Sequence, residues 1–106
     1  MTLHRSSDPD WDDVFDALAD DKRRRLFLAL WQRGPDAGMV PLRDIPALST
    51  EHDRLELRHV HLPMLEEMGY VRWDRDRGAV GRGPRYEEVL PAVEWFHERR
   101  SLDRTV

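Results

Sequence analysis

The chain has 106 residues, of which 40% are apolar, and a formal net charge of −4 at pH 7. That length closes one hydrophobic core, but not the two lobes with which most metabolic enzymes enclose a substrate. No stretch approaches the roughly 20 uncharged apolar residues of a membrane span, MTLHRSSDPDWDD lacks the apolar core of a signal peptide, and the absence of cysteine excludes disulfides, thiolate metal sites and cysteine nucleophiles. A soluble, cytoplasmic domain spanning residues 10–100 is expected, with flexible tails at 1–9 and 101–106.

The first element starts near Asp10, where Trp11, Val14, Phe15 and Leu18 fall on one helical face and Asp12 and Asp13 suit the positive end of a helix dipole. A second helix is expected in DDKRRRLFLALWQRG, capped by Asp20 or Asp21 and stopped by Gly34 and Pro35; Leu26, Phe27, Ala29, Leu30 and Trp31 make it apolar over more than half its circumference. GPDAGMVP at 34–41 is turn chemistry ending in a minimal strand. Leu42, Ile45 and Leu48 then fit a two-turn helix, with Pro46 limiting its length or placing a 3₁₀ turn there.

Thr50 and Asp53 have capping-box spacing and open a longer helix from about Glu51 to Met68, with Leu55, Leu57, Val60, Leu62, Met64, Leu65 and Met68 as its apolar residues. Pro63 inside it predicts an irregular or split helix. After Gly69 the period changes to two: Tyr70 to Asp74 alternate as a strand, DRDRG is a turn, and Ala79 and Val80 begin a return strand that GRGP breaks early. Tyr86, Val89, Leu90, Val93 and Phe96 return to helical spacing as far as about Arg100, with Pro91 near the first turns. The expected class is mainly α with a small β-hairpin.

The charge is unevenly spread. Residues 1–21 sum to −6, 22–50 to +4, 51–69 to −3, 70–85 to +3 and 86–106 to −2. Positive charge gathers in the run Lys22 to Arg25 and around the hairpin, in Arg72, Arg75, Arg77, Arg82 and Arg85. The basic side is 16 Arg to one Lys and the acidic side 13 Asp to 8 Glu, a bias suggesting a GC-rich genome and fitting a salt-rich cytosol. A net negative charge argues against indiscriminate nucleic-acid binding, so the placement of the arginines decides more than their sum.

Three helices followed by a hairpin match the winged helix-turn-helix plan. DALADDKRRRLFLALWQRG resembles the opening helices of the ArsR-like regulators, and HVHLPMLEEMGYVRWDRDRG resembles their recognition helix and wing. The string HVHLP-x-LE-x-x-G is closest to small winged-helix proteins of halophilic archaea, and the resemblance covers about residues 11–85. It implies that the helix from Glu51 enters the major groove of double-stranded DNA, that the wing touches backbone or minor groove, and that the first and last helices form a homodimer. The metal-sensing members use cysteines or clustered His and carboxylates, and cysteine-based sites cannot exist here. The link between the short third helix and the recognition helix is also longer than the tight turn of a standard helix-turn-helix.

On the long helix Arg54 and Arg58 lie one turn apart, with His61 about one turn beyond Arg58 and His59 beside them; arginine can hold guanine bidentately, so this face is the candidate for base readout. The alternative is a solvated face paired to Glu51, Asp53 and Glu56. The five hairpin arginines are the candidates for phosphate contacts, with Asp74 and Asp76 as competing partners for Arg75 and Arg77. Arg23, Arg24 and Arg25 span too wide an arc to share one role, and one of them is expected to pair with the acidic first helix. Excess apolar surface at Trp11, Val14 and Phe15 on the first helix, and at Val89, Val93, Trp95 and Phe96 on the last, predicts the dimer interface; the alternative is that both helices close the monomer core.

His59 and His61, two apart, point about 200° apart on a helix, so even with His52 as a third ligand no metal site is expected. GRGP lacks the length and the lysine of a phosphate-binding loop. No catalytic set and no cofactor are expected. The function expected is a sequence-specific, DNA-binding transcriptional regulator; the alternative is a winged-helix protein–protein interaction module without DNA binding, motivated by the acidic recognition helix.

Overall fold

A computed structural model describes residues 9–45, 48 and 50–104, with side chains to residue 99. The expected tail at 1–8, the effect of Pro46 and the end of the tail at 105–106 lie outside the described residues. The order is α1 (Trp11–Ala17), α2 (Asp21–Arg33), β1 (Val40–Pro41), a 3₁₀ turn (Leu42–Asp44), α3 (Glu51–Glu56), a π-helical turn (Leu57–His61), α4 (Leu62–Glu67), β2 (Val71–Asp74), β3 (Ala79–Arg82) and α5 (Tyr86–Arg104). It is a mainly helical protein with one small antiparallel sheet, of strand order β1-β3-β2.

The starts of α1, α2 and α3 are chemically marked. The Asp10 carboxylate accepts from the Asp13 N–H at 3.3 Å, Asp20 accepts from Lys22 and Arg23 at 2.8 and 3.3 Å, and the Thr50 hydroxyl accepts from Asp53 at 3.0 Å. These side chains take up N–H groups that have no partner within the helix. Gly34 stops α2 at φ 87° and Gly69 ends the long helix at φ 86°, conformations that side chains with a Cβ rarely adopt.

The split near Pro63 takes a specific form. Proline has no N–H to return to residue 59 and its ring crowds that carbonyl, so the turn before it widens. The Leu62 N–H reaches back five residues to the Leu57 carbonyl, and α3, the π turn and α4 run on as one irregular helix.

The core forms where α2 packs against α5 and the π turn, with α4 against β2. Phe27 meets Tyr70 edge-on at 6.2 Å and Tyr86 at 6.0 Å, and Leu26, Leu57, Leu62, Leu65, Val80 and Val89 are fully enclosed around them. β3 pairs Val80 with Val40 on one side and with Trp73 on the other, so the minimal strand is an edge of the sheet. β3 runs through Gly81 to Arg82 rather than stopping at the glycine. The break comes at Gly83, where a Cβ would lie 2.5 Å from the Gly69 carbonyl oxygen. α5 continues to Arg104, so residues 101–104 extend the helix where a tail was expected. Among the described residues no helix is long and apolar enough to cross a membrane.

Candidate functional site

The arginines divide into those held inside the protein and those left at its surface. Arg85 belongs to the first group. Its Nε and Nη2 donate to Glu88 at 2.8 and 2.9 Å, its Nη1 donates to the Met68 carbonyl at 2.9 Å, and Asp13 lies 3.5 Å away. The Glu88 hydrogen bond holds Arg85 yet more firmly protonated against the cost of burial, and in return keeps Glu88 below the usual carboxylate range. Burial beneath this cluster pushes the Tyr70 hydroxyl up to about 12.

Arg82 also turns inward. Its Nη2 donates to the Leu30 and Trp31 carbonyls at 3.2 and 3.3 Å, in the last turns of α2, and the guanidinium lies 4.5 Å from the Tyr86 ring centre. A cation there meets carbonyls at the negative end of the helix, adding a donor to the Trp31 carbonyl that already accepts from the Gly34 N–H. Arg82 and Arg85, expected as phosphate contacts, are thus committed to internal partners.

Lys22, Arg23 and Arg24 also have partners within the protein, while Arg25 has only an exposed pair. Arg23 donates to the Asp16 carbonyl and Arg24 to the Leu18 carbonyl, at 3.1 and 2.7 Å, while Arg25 pairs with Asp21 at 2.9 Å. Arg23 and Arg24 therefore meet the α1 region through its backbone. Lys22 sits between Asp53 and Glu56, at 3.9 and 3.3 Å. Two of the acidic residues that weighed against the long helix as a DNA-facing element therefore share one lysine of α2, which offsets one of their two charges.

His61 is only 4% exposed. Its Nε2 lies 3.5 Å from Glu56 and 3.7 Å from Asp20, and neither ring nitrogen makes a hydrogen bond among the described residues. The expectation of a DNA-contacting His61 is corrected: the π turn carries it onto the buried side, while His59 stays exposed.

The surface arginines converge. A cleft of about 210 Å³ opens between the 3₁₀ turn, α3 with the π turn, and the β2–β3 turn; it is lined by Arg43, Glu51, Arg54, Leu55, Arg58, Arg77 and Gly78 over a floor of Pro41 and Leu42. Four arginines from three elements, with the one acidic residue Glu51, line this cleft. The Leu42 N–H donates to the Gly78 carbonyl at 2.9 Å, which draws the 3₁₀ turn against the hairpin turn and sets Arg43 in the same cleft as Arg77. Arg54 is steadied by a 3.1 Å bond from its Nη1 to the Leu48 carbonyl. Arg77 is 85% exposed and lies 3.8 Å from Asp74, whose Oδ1 is occupied by the turn N–H groups of Asp76 and Arg77. Such an exposed pair holds the arginine only weakly.

The remaining hairpin arginines lie outside this cleft. Arg75 stacks over Trp73 at 4.1 Å and reaches Glu66 at 3.5 Å. Arg72 lines a second groove, with Met39, Gly81 and Arg82. Arg43 was not among the expected residues: one arginine in a short element carries no charge-run signal, and only the long-range β1–β3 pairing places it.

Of the residues expected at a dimer interface, Val14, Val89 and Val93 are buried in the protomer's own core, which corrects their assignment. Trp11, Phe15 and Trp95 are exposed, and Phe96 is partly buried with its ring 5.4 Å from that of Trp95. No group of three His, Asp or Glu side chains able to hold a metal ion occurs among the described residues. No family model, curated protein or solved structure matches the chain.

Proposed function

We propose that the chain is a winged helix-turn-helix protein that binds double-stranded DNA as a homodimeric transcriptional regulator. The observation that carries this reading is the cleft lined by Arg43, Arg54, Arg58 and Arg77 with a single acidic residue, Glu51. Guanidinium groups at this density suit phosphodiester oxygens and guanine edges. In this reading the helix from Glu51 is the recognition helix and the β2–β3 hairpin the wing, with Arg54 and Arg58 reading bases and Arg43 and Arg77 holding phosphate. The exposed rings of Trp11, Phe15 and Trp95 supply the contact between copies.

Fluorescence anisotropy of the full chain with labelled random-sequence duplex tests it, run at low and at high salt. Binding that weakens linearly in log–log form as salt rises is expected. Absence of binding at the lowest salt overturns the reading. A protein–protein interaction module then takes its place, favoured by the exposed apolar side chains of Leu55 and Val60 on the same helix.

A further inference from the structure

Leu55 and Val60 are the two large apolar residues of the long helix that the core does not cover. The same helix buries Leu57, Leu62 and Leu65 completely, while Leu55 is 43% exposed. Of the large apolar residues exposed among the described residues, Leu55 alone lines the arginine cleft; Val60, the other one on this helix, does not. Its backbone neighbour Arg54 and, three residues on, Arg58 line the same cleft. An isobutyl group among guanidinium groups gains nothing from water or phosphate, so a ligand made only of phosphates gives it no role.

The major groove offers one apolar group, the C5 methyl of thymine. We propose that Leu55 is a specificity-determining residue that packs on a thymine methyl beside the guanine held by Arg54 or Arg58. This rests on the DNA-binding reading and deepens it: the preferred site contains a thymine next to a guanine, and the thymine is sensed through its methyl group. Protein contact with a methyl excludes water from both partners and is worth about a fourfold difference in affinity.

The full chain is used to select duplexes from a randomised pool at low salt, and each thymine of the selected site is then replaced singly by deoxyuridine, which removes the methyl and keeps the pairing. Deoxyuridine at one thymine flanking a guanine is expected to weaken the wild type about fourfold. Leu55→Ala, a change at an exposed helical position that leaves the fold intact, is expected to bind thymine and deoxyuridine duplexes equally and to keep the wild-type salt dependence. If no deoxyuridine substitution affects the wild type, or if Leu55→Ala keeps the full deoxyuridine penalty, the assignment is overturned while DNA binding stands. If no duplex is retained at any salt, DNA binding and the Leu55 assignment fall together.

Discussion

The Tyr86 hydroxyl donates a 2.7 Å hydrogen bond to the Phe27 carbonyl, from the first turn of α5 to the middle of α2. Tyr70, whose ring also meets Phe27, is as deeply buried, but its hydroxyl has no hydrogen-bond partner among the described residues. The two tyrosines should therefore respond oppositely to loss of the hydroxyl. Tyr86→Phe is expected to destabilise the protein by about 1 kcal/mol, because a buried carbonyl loses its donor, whereas Tyr70→Phe should be neutral or mildly stabilising. Urea unfolding of both variants measures the contrast.

Arg85 and Glu88 make stability depend on pH. The Arg85 hydrogen bond lowers the Glu88 pKa in the folded state; burial opposes this, and the Asp10 N–H assists it. A carboxylate with a depressed folded value contributes stability that is fully present above its unfolded value, near 4.5, and is lost as pH falls through the folded value. The urea midpoint should thus drop below about pH 4.5, and Glu88→Gln should flatten that part of the profile. Arg85→Met, which also uncaps the Met68 carbonyl, is expected to cost about 1–3 kcal/mol at pH 7.

The proposed DNA-binding reading assigns phosphate contact and base contact to different cleft arginines. Arg43→Ala and Arg77→Ala should each weaken binding to all duplexes and lower the salt slope by about one unit. Arg58→Ala should cost about 1–3 kcal/mol on the selected site and little on random duplex. Arg75→Ala should change DNA affinity little, since that side chain is shared between Trp73 and Glu66. Equal losses in Arg75→Ala and Arg77→Ala would put the whole hairpin against DNA and contradict this division.

Self-association is predicted from the exposed rings. Phe15 is 64% exposed, so Phe15→Glu should fold and sediment as a monomer where the wild type sediments as a dimer. Val93→Glu places a charge in the core and should instead unfold the protein. A wild type that sediments as a monomer at micromolar concentration removes the homodimer from the proposal.

Local chemistry made much of this legible in advance. The caps at Asp20 and Thr50, the stops at Gly34 and Gly69, the break at Pro63 and the hairpin after Gly69 depend on residues close in sequence, and the structure has each of them. The direction each arginine takes is a tertiary property. Arg82 and Arg85 look like Arg77 as letters in a glycine-rich stretch, but tyrosine faces and open carbonyls across the fold draw the first two inward. The valines of α1 and α5 were misassigned for a similar reason. Helical periodicity identifies an apolar face without saying whether the chain's own core or a second copy covers it.

Arg82 has a consequence for how quickly the hairpin meets a partner. With its guanidinium anchored on the end of α2 and laid over Tyr86, the base of the β2–β3 arm is fastened to two helices of the core, α2 and α5, before any encounter. An arm held in this way is preorganised and gives up little configurational entropy on docking. Association then resembles rigid-body capture, with an on-rate governed by diffusion and ionic strength rather than by the arm ordering itself against its target.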